Sequence, residues 1–405
     1  MEQRDVIVIG GGPAGAAAAM RAARGGASVV VFEKGTRGRD KVCGDGLTPR
    51  AVAALEELKI SLAGSHRIDG LRMIAGDVRR ELPWPGTGRF PPYGAVWTRR
   101  ALDAHLIEVA RTAGAEVVFE TAADLIVEDD AVVGVHAAGQ KWRAPLVVLA
   151  TGAPGEVARL VGAQRDQNEP FGLAIRTYVE SPRHADRLLE ASLAMRDPDG
   201  TAIPGYGWMF PVGDGTVNLG VGALSTMKGF KKLNLNKLVD LYRDVVRDEW
   251  EVGEYLEKPR AWRLPMAVLR RSGPGWVAVG DAAGLINPMN GEGIDYALES
   301  GMLAADLFLA DPASAATRYD REIGARFDDF LRTGRRFSFL IGHPFIVRNG
   351  LRLALGTDAA ANITLQVMGN LVDADTPGAS GRVLRLADRA LAMADPVIRR
   401  TRARA

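Results

Sequence analysis

The stretch "DVIVIGGGPAGAAAAMRAARGGASVVVFE", residues 5–33, decides the fold of this chain. Two short β-branched runs flank an alanine-rich segment, and alanine is the strongest helix former. Gly10, Gly12 and Gly15 stand at the turn from the first run to the helix. Glu33 ends the second run. This spacing is typical of a βαβ unit that binds a dinucleotide.

Each glycine has its own physical role in such a turn. Gly10 permits the turn, Gly12 lets the backbone approach a pyrophosphate, and Gly15 allows close helix packing. The helix N-terminus turns its N–H groups and its positive dipole end toward the anion. Glu33 is expected to accept hydrogen bonds from ribose hydroxyls. The predicted contacts of this unit also include Pro13, Ala14 and Lys34.

Length and composition bound the remaining possibilities. A chain of 405 residues with 47% hydrophobic content is long enough for two or three domains. Its 51 Lys and Arg nearly balance its 49 Asp and Glu, so the composition gives no indication of nucleic-acid binding. The single cysteine, Cys43, excludes internal disulfides, and five scattered histidines cannot form a Cys/His zinc cluster. We expect a cytoplasmic protein without a leader or membrane span, so that any membrane contact is peripheral.

A second glycine-bearing turn occurs in "WVAVGDAAGLINPMNGEGIDYALESG", residues 276–301. Asp281, after Gly280 at a strand end, is expected to take a ribityl hydroxyl. Gly291 and Gly293 precede a long helix whose N-terminus would face the negative charge of a reduced flavin. Gly-Asp alone is also a common strand-ending turn, but NAD would not need this second site, so the two turns together predict FAD. The predicted contacts here also include Pro288 and Ile294.

The rest of the chain has an α/β pattern that is interrupted by a strand-rich segment. "APLVVLATGA" repeats the strand-then-glycine pattern at Thr151 and Gly152, and Thr48 and Thr98 stand at predicted helix starts. We predict an α/β fold in which a nucleotide-binding domain contains an insertion. The predicted parts are a Rossmann-type FAD-binding domain of residues 1–60, 95–160 and 272–330, an inserted antiparallel-sheet substrate domain of residues 61–94 and 161–271, and a helical C-terminal region of residues 331–405.

These motifs resemble the FAD-dependent geranylgeranyl reductase family over most of residues 1–310. The resemblance implies the flavoprotein fold that this family shares with aromatic-ring hydroxylases, and FAD as the cofactor. "CGDGLTPRA" and "PGYGWMFPVGDGTVNLGVGALST" resemble in particular the actinobacterial menaquinone reductases, which saturate one isoprene unit of a quinone tail. The segments that carry the family resemblance are "GGGPAG", "KVCGDGLTPRA", "PGYGWMFP", "GDAAGLINPMNGEGIDYALESG" and "RRALD" of residues 99–103.

The resemblance assigns roles to a glycine-rich loop and to one arginine. Cys43 and Gly44 match the family's CGxG loop, which borders flavin and substrate, and the proton donor is then the thiol or a water held beside it. Asp45 stands where many members have a third glycine and is an alternative acid. A lone cysteine is also commonly a small buried hydrophobe. Arg99 matches a family arginine that approaches FAD; the alternative is a solvated charge at a helix start, like Arg100.

A second segment of the resemblance supplies aromatic residues. Strand alternation puts Tyr206, Trp208 and Phe210 on one face, where they form either a wall for a polyprenyl chain or an ordinary sheet core. The "VNLGVG" strand beside it, residues 217–222, has two glycines that are expected to leave room for a long ligand. Aromatic faces stabilise the cationic character that develops when an alkene takes up a proton and a hydride. The predicted catalytic residues are therefore Cys43, Asp45, Tyr206 and Trp208.

Several alternatives stay open. Thr151-Gly152 replaces an Asp-Gly pair of many relatives, which puts direct use of NADPH in doubt and leaves NADPH or a ferredoxin-like protein as electron donor. A monooxygenase of the same fold, a flavin halogenase and a non-catalytic flavoprotein that binds polyprenyl lipid are the rival functions. Asn290 and Glu292 either face the flavin or serve only the turn. Arg176, in the strand-rich segment, either pairs with a substrate headgroup or is one of many exposed arginines, and it is not included among the predicted site residues.

The C-terminal region allows two interpretations. It is rich in apolar residues at helical spacing and ends in a basic run. Such a tail either rests on anionic lipid, where an isoprenoid quinone resides, or packs over the substrate cavity with a cationic terminus. The arginines concerned are Arg399, Arg400, Arg402 and Arg404.

Overall fold

The computed structural model of the chain describes residues 1–402 except 154, 194, 196–204, 341–348, 351 and 373–377. Its centre is a six-stranded sheet in which every residue of the first long strand is buried, as expected for a strand covered on both faces. The pairing is parallel except at the β19 edge. In spatial order the strands are β19 (Ser272–Gly273), β20 (Trp276–Ala278), β13 (Leu146–Leu149), β2 (Val6–Ile9), β3 (Val29–Phe32) and β9 (Glu116–Val118).

The register of this sheet brings its glycine turns together. Ile9 at the end of β2 pairs with Phe32 on one side and with Leu149 on the other. The carboxyl ends of parallel strands lie at one edge, where ligands of open α/β sheets bind. The turns after β2, β13 and β20 therefore share that edge.

A seven-stranded sheet forms the second large element. It is antiparallel except where β15 pairs in parallel with β6. It draws two strands from residues 70–83 and five from residues 171–265. In spatial order the strands are β18 (Arg260–Pro265), β14 (Phe171–Glu180), β17 (Thr216–Leu224), β16 (Tyr206–Pro211), β15 (Leu188–Leu193), β6 (Gly70–Ala75) and β7 (Val78–Pro83).

Two small sheets complete the strands. The four-stranded sheet has, in spatial order, β1 (Glu2–Gln3), β12 (Gln140–Arg143), β11 (Ala131–Ala137) and β10 (Ala122–Glu128). The three-stranded sheet has β4 (Gly46–Leu47), β8 (Gly94–Val96) and β5 (His66–Ile68). The short β4 matters for function because it directly follows the Cys43 loop.

The helices of the described residues cover these sheets. Two short 3-10 helices span Phe230–Lys232 and Gly280–Ala283. The α-helices are α1 (Pro13–Arg24), α2 (Pro49–Glu57), α3 (Arg99–Thr112), α4 (Glu156–Leu160), α5 (Leu235–Trp250), α6 (Ile294–Ala310), α7 (Ala315–Leu340), α8 (Asp358–Met368) and α9 (Ala379–Arg402).

Hydrophobic packing occurs on both faces of the seven-stranded sheet. On one face Val217 and Val221 of β17 pack with Tyr242 and Trp250 of α5. On the other face a separate apolar group joins residues of β6, β7 and β15 to Leu365 of α8. That second group borders the cavity of the candidate active site.

The α/β flavoprotein fold predicted from the sequence is confirmed, and the domain boundaries stay a prediction. Thr48 and Thr98 do precede α2 and α3, but neither side chain caps its helix. The Asp45 carboxylate instead accepts from the Arg99 N–H at 3.0 Å, and Thr48 donates to Glu292 at 2.5 Å. In the part of the chain that the structure describes, no helix is both long and apolar enough to span a bilayer.

Candidate active site

The two glycine turns lie side by side at the carboxyl edge of the six-stranded sheet. A Cβ added to Gly280 would lie 3.1 Å from the Ala14 Cβ. The helices that follow these turns, α1 and α6, approach so closely that a Cβ on Gly301 would lie 2.2 Å from the Ala14 carbonyl oxygen. Turns far apart in the chain therefore form one continuous surface.

The first turn has the shape that a dinucleotide requires. Gly10 has a φ of +107°, and a Cβ there would lie 2.3 Å from the Ala150 carbonyl oxygen. A Cβ on Gly15 would lie 1.8 Å from the Gly10 carbonyl oxygen. Among the described residues, no side chain caps the N-terminus of α1, so its first N–H groups can bind an anion.

Two guanidinium groups flank the point where a pyrophosphate would meet this turn. A Cβ on Gly12 would lie 3.8 Å from Arg99 Nη2 and 3.9 Å from Arg39 Nη2. Arg99 is buried, and its ion pair with Asp103 at 2.7 Å orients it, so it is not the solvated charge considered as an alternative. The buried Thr151 hydroxyl has no hydrogen-bond partner among the described residues. These groups fit the phosphate and hydroxyl groups of FAD, the cofactor of this flavoprotein fold.

Glu33 organises the first turn from within the protein. Its carboxylate accepts from Gly11 N–H and Gly35 N–H at 2.7 Å and from Arg39 Nε at 2.9 Å. Burial alone raises the pKa of Glu33, but these hydrogen bonds and the Arg39 charge outweigh it and leave the pKa below its usual value. The predicted contact with ribose stays a prediction. Lys34 is exposed beside it.

A lysine that the sequence did not single out joins the two turns. Lys41 Nζ lies 2.8 Å from the Asp281 carboxylate, and a Cβ on Gly152 would lie 3.8 Å from the same Nζ. Asp281, predicted to hold the ribityl chain, is thus paired with a cation at the meeting point of three strand ends. The signal that could have found Lys41 is its place directly before the Val42-Cys43-Gly44 loop.

One cavity connects these turns to the seven-stranded sheet. Around the turns its lining is polar and includes Lys41, Arg99 and Asp281. Toward the sheet the lining is apolar except for Arg176. Its apolar residues include members of the packed group on that face, Leu71, Met73, Leu189, Phe210 and Met368. The cavity therefore connects a polar region at the glycine turns to an apolar region at the seven-stranded sheet.

The loop Cys43–Gly46 lies against the aromatic strand. Cβ atoms on Gly44 and Gly46 would each lie 3.0 Å from Phe210 Cε2. The glycines were expected to let the loop approach a bound ring, and the rings they approach in the structure are those of the protein itself. Cys43 lines the cavity, and burial is the main cause that raises the pKa of its thiol, which is therefore neutral at pH 7.

Asp45 is the buried centre of a hydrogen-bond network. Its φ of +65° lies in the left-handed region that favours glycine, and Asp tolerates this region better than most residues. Its carboxylate accepts from Arg99 N–H at 3.0 Å, from Tyr178 OH at 2.5 Å and from Asn218 Nδ2 at 2.8 Å. Burial raises its pKa to about 6. Because three donors face it, Asp45 orders the loop.

Asn218 connects this network to the aromatic strand. Its amide donates to the Cys43 carbonyl oxygen and accepts from Trp208 Nε1, at 2.8 and 2.9 Å. Tyr206 OH in turn donates to the Asn290 carbonyl oxygen at 2.5 Å. The wall predicted from Tyr206, Trp208 and Phe210 thus lines the cavity and is tied to both the Cys43 loop and the second turn.

The glycines of β17 were expected to leave room for a ligand, but in the structure they do not. A Cβ on Gly220 would lie 2.1 Å from Trp208 Cζ2, and one on Gly222 would lie 2.9 Å from Tyr206 Cε1. Both positions accommodate the aromatic rings of β16. The ligand space lies on the other side of those rings.

Arg176 is fully buried, so it is not the exposed arginine that was one of its two interpretations. Its guanidinium donates to Asp40 at 2.6 Å and to Glu257, and lies over the Tyr178 ring at 4.6 Å. It also lines the cavity. Arg176 therefore fixes the segment before the Cys43 loop to the seven-stranded sheet.

Most predicted site residues come together, and a few do not. Pro288 packs instead against α7, where a Cβ on Gly334 would lie 3.0 Å from its Cδ. Pro204 of the aromatic segment, Arg404 and the side chains of Arg399, Arg400 and Arg402 lie outside the described residues. The predicted residues that line the cavity are Pro13, Cys43, Gly44, Asp45, Arg99, Tyr206, Trp208, Asp281, Gly291, Gly293 and Ile294.

Comparisons with known proteins agree with this geometry. The family of FAD dependent oxidoreductases matches residues 5–170. A protein named menaquinone reductase from Mycobacterium tuberculosis is 38% identical over 394 residues, and one from Mycolicibacterium smegmatis is 40% identical over 400 residues. Each match covers 95% of this chain and 95% of the relative.

Solved structures share the fold. A geranylgeranyl bacteriochlorophyll reductase-like protein from Thermoplasma acidophilum superimposes with a TM-score of 0.78 at 23% identity, over 96% of this chain and 100% of that one. A flavin-dependent brominase gives 0.75 at 18% identity, over 96% and 98%. At these identities the likeness extends to the fold alone.

Proposed function

Because the chain belongs to the FAD-dependent geranylgeranyl reductase family, we propose that it reduces a carbon–carbon double bond in the isoprenoid chain of a quinone. The chain is an FAD-dependent oxidoreductase with menaquinone reductases among its relatives. Which isoprenoid it takes is the proposed part, and a menaquinone-type naphthoquinone is the substrate that these relatives favour.

The observation that carries the proposal is the single cavity that joins the two flavin turns to an apolar wall. Gly291 and Gly293 of the second turn and the aromatic residues of β16 line the same space. The apolar part of the cavity is lined by large side chains and has few hydrogen-bonding groups, which suits a hydrocarbon chain. A small polar substrate would leave this wall without a partner.

Bound reduced FAD supplies a hydride in this site. An isolated alkene is a weak hydride acceptor, so the protein must deliver a proton to the other carbon. Tyr206 and Trp208 present ring faces that favour the cationic character of the alkene as it is protonated. The buried surroundings also exclude water from the reaction.

The predicted catalytic residues divide into two roles in this proposal. Tyr206 and Trp208 form the wall. Cys43 lies at the cavity surface as a neutral thiol. Asp45, surrounded by donors and without exposed surface, holds the loop in position.

Two electron donors fit the proposal, NADPH and a ferredoxin-like protein. Thr151 and Gly152 stand where many relatives have Asp-Gly, so we propose that NADPH, if used, docks transiently. Stopped-flow reduction of the flavin by NADPH and by reduced ferredoxin, each alone, identifies the donor. Bleaching by neither would exclude both.

We also propose that the enzyme works at the cytoplasmic face of the membrane. Val383, Leu386 and Met393 on one side of α9 are 42%, 63% and 78% exposed. Exposed arginines occupy the adjacent side of this helix, at 382, 385 and 389. A basic amphipathic helix of this kind suits an anionic bilayer surface.

Flotation of the FAD-loaded protein with phosphatidylglycerol vesicles tests this location. We expect the protein to float with anionic vesicles and not with neutral ones, and the double variant Leu386→Glu, Met393→Glu to stay at the bottom. Equal flotation of the double variant would contradict the role of α9.

The proposed activity is tested by mass spectrometry of lipids from cells with and without the gene. We expect the isoprenoid quinone of the cells that lack the gene to be lighter by two hydrogens. Product that carries an added oxygen, formed with matching oxygen consumption, would instead establish the monooxygenase alternative. Flavin binding without any change of lipid would support the non-catalytic alternative.

A further inference from the structure

Glu292 lies in the second turn, between two glycines, and its side chain lines the cavity. The residue is partly buried, and it shares the cavity lining with Tyr206 and Trp208. We infer that Glu292, as a neutral carboxylic acid, donates the proton to the isoprenoid double bond. This inference rests on the proposed function and identifies its proton source.

The hydrogen bonds of Glu292 engage one carboxyl oxygen and leave the other nearly free. Oε1 accepts from the Thr48 hydroxyl at 2.5 Å. The other described contact, from Asn290 Nδ2 to Oε2, is long at 3.5 Å, because that amide donates to the Met368 carbonyl oxygen at 2.5 Å. Oε2 is therefore the oxygen that carries a proton available to the cavity.

The turn holds this carboxyl group beside the aromatic wall. Asn290 Oδ1 accepts from the Glu292 N–H at 2.8 Å, and the Asn290 carbonyl oxygen accepts from Tyr206 OH at 2.5 Å. A Cβ on Gly291 would lie 3.5 Å from the Tyr206 hydroxyl oxygen. Asn290 thus connects Glu292 to Tyr206, one of the residues proposed to stabilise a cation.

The surroundings of Glu292 favour its protonated form. Burial is the main cause that raises its pKa well above the usual value, and the negative charge of Asp295 raises it further. The hydrogen bonds from Thr48 and Asn290 and the charge of Arg50 act in the opposite direction. The Arg50 Nε lies 2.6 Å from Glu299 and 4.0 Å from Asp295, so its charge mainly neutralises those carboxylates. The titratable groups that interact with Glu292 are Asp295 and Tyr296 of α6, Arg50 of α2 and Tyr206 of β16. Glu299 acts on Asp295, and Cys43 lines the same cavity.

An ion-pair network lies behind Glu292 and reaches the protein surface. Behind Glu292, Arg50 connects Asp295 to Glu299. Glu299 lies 3.7 Å from Arg326, whose side chain is 44% exposed. The guanidinium groups of this network stay charged, so the network fixes the charges behind Glu292.

The other acids of the site are less suited to this step. Asp45 is fully buried and its carboxylate is held by three donors. Burial raises the pKa of the Cys43 thiol, which makes it a weaker acid than a carboxyl group. A general acid works best when its pKa lies near the operating pH, and a buried carboxyl group approaches that value from below.

The step balances. One alkene carbon gains a hydride from the reduced cofactor and the other gains the proton of Glu292 Oε2, so two C–H bonds form as the π bond breaks. The alkene is reduced by two electrons and the cofactor is oxidised by two. Glu292 is left as a carboxylate and takes a proton from solvent.

The first experiment does not require a substrate. Infrared spectra are recorded near neutral pH for three FAD-loaded proteins: wild type, Glu292→Gln and the control variant Glu254→Gln. The Glu254 side chain is 88% exposed on the surface. We expect the carboxylic-acid C=O band to lose one component in Glu292→Gln only; an unchanged band would overturn the inference whatever the substrate.

The second experiment measures anaerobic reoxidation of the reduced flavin by a menaquinone. We expect Glu292→Gln to keep its FAD and its rate of reduction by dithionite, but to reoxidise about 10²- to 10⁴-fold more slowly. In wild type the rate falls as the pH rises through the pKa of Glu292, and the variant loses this dependence. Glu292→Asp, which keeps an acid, should recover part of the rate.

The outcomes separate the two proposals. Wild-type and Glu292→Gln flavins that are reoxidised at equal rates would overturn the role of Glu292 and leave the proposed function intact. A wild-type flavin that no prenylated quinone reoxidises would overturn the proposed function, while the infrared comparison still decides whether Glu292 is protonated.

Discussion

Trp208 of β16 lies directly opposite Gly220 of β17, and its ring occupies the space that a side chain at position 220 would need. The indole is only 4% exposed and donates to Asn218 at 2.9 Å. The aromatic wall of the cavity therefore depends on a glycine in the neighbouring strand. Because Asn218 also contacts the Cys43 loop, a shift of this ring would reach the flavin side of the cavity.

Replacing that glycine should disturb the wall. In Gly220→Ala the new Cβ would lie 2.1 Å from Trp208 Cζ2 and 2.7 Å from the Ile175 carbonyl oxygen. We expect a loss of about 1–3 kcal/mol in the free energy of unfolding, and slower turnover with FAD retained. Urea unfolding and flavin content measure this. Gly253→Ala, whose Cβ would have no neighbour within 4 Å, is the control, and equal stability of both variants would contradict the packing.

Trp208 itself should be needed for turnover and not for cofactor binding. Trp208→Ala removes the ring from the cavity wall, so we expect turnover to fall while the purified protein keeps its yellow colour. Trp208→Phe keeps a ring but loses the hydrogen bond to Asn218, and its activity should lie between those of wild type and Trp208→Ala. Full activity of Trp208→Ala in a steady-state assay would refute the role of the wall.

The first turn should tolerate no side chain at its most crowded glycine. A Cβ on Gly15 would lie 1.8 Å from the Gly10 carbonyl oxygen, so Gly15→Ala must displace the turn. We expect the variant to lose most of its bound FAD, as measured from the absorbance of the released flavin. Gly155→Ala, which meets no atom within 4 Å, should keep its FAD. A fully loaded Gly15→Ala would mean that the cofactor does not depend on this turn.

Asp45 should give the folded protein a distinct pH dependence. Burial raises its pKa to about 6, so the folded state holds this proton more tightly than the unfolded state does. The contribution of Asp45 to stability therefore falls as the pH rises from about 4 to about 6, by roughly 3 kcal/mol. Asp45→Asn cannot titrate, and Asn tolerates the positive φ, so this component should disappear.

Urea unfolding at saturating FAD across that pH range measures the effect. Glu254→Gln, at an exposed position, should keep the wild-type pH profile. An Asp45→Asn profile with the same slope as wild type would show that Asp45 is ionised in both states and that its burial is offset elsewhere.

Local sequence signals were sufficient for the nucleotide-binding half of the fold. The turn glycines are dictated by contacts within a few residues or between neighbouring parallel strands, as at Gly10 and Gly15. The residues that complete the site depend on contacts distant in sequence. Tyr178 lies 133 residues from Asp45, and Asn218 lies 173 residues from it. No local pattern specifies which side chains meet across such separations.

Asn218 and Arg176 nevertheless carry a signal that can be read in retrospect. Each is a polar residue inside a run of residues with strand character, and both are fully buried. A buried polar group must find a partner, so such interruptions indicate a network. The glycines of β17 were misinterpreted because the rings that fill the space beside them belong to the neighbouring strand, β16, and a local pattern does not show this.

The central claim is that this cavity reduces an isoprenoid double bond, and one measurement tests it most directly. Reduced, FAD-loaded protein is mixed anaerobically with a menaquinone, flavin reoxidation is followed by absorbance, and the recovered quinone is weighed by mass spectrometry. The account predicts reoxidation together with a side chain heavier by two hydrogens. Reoxidation that leaves the side chain unchanged, or a flavin that stays reduced, would contradict it.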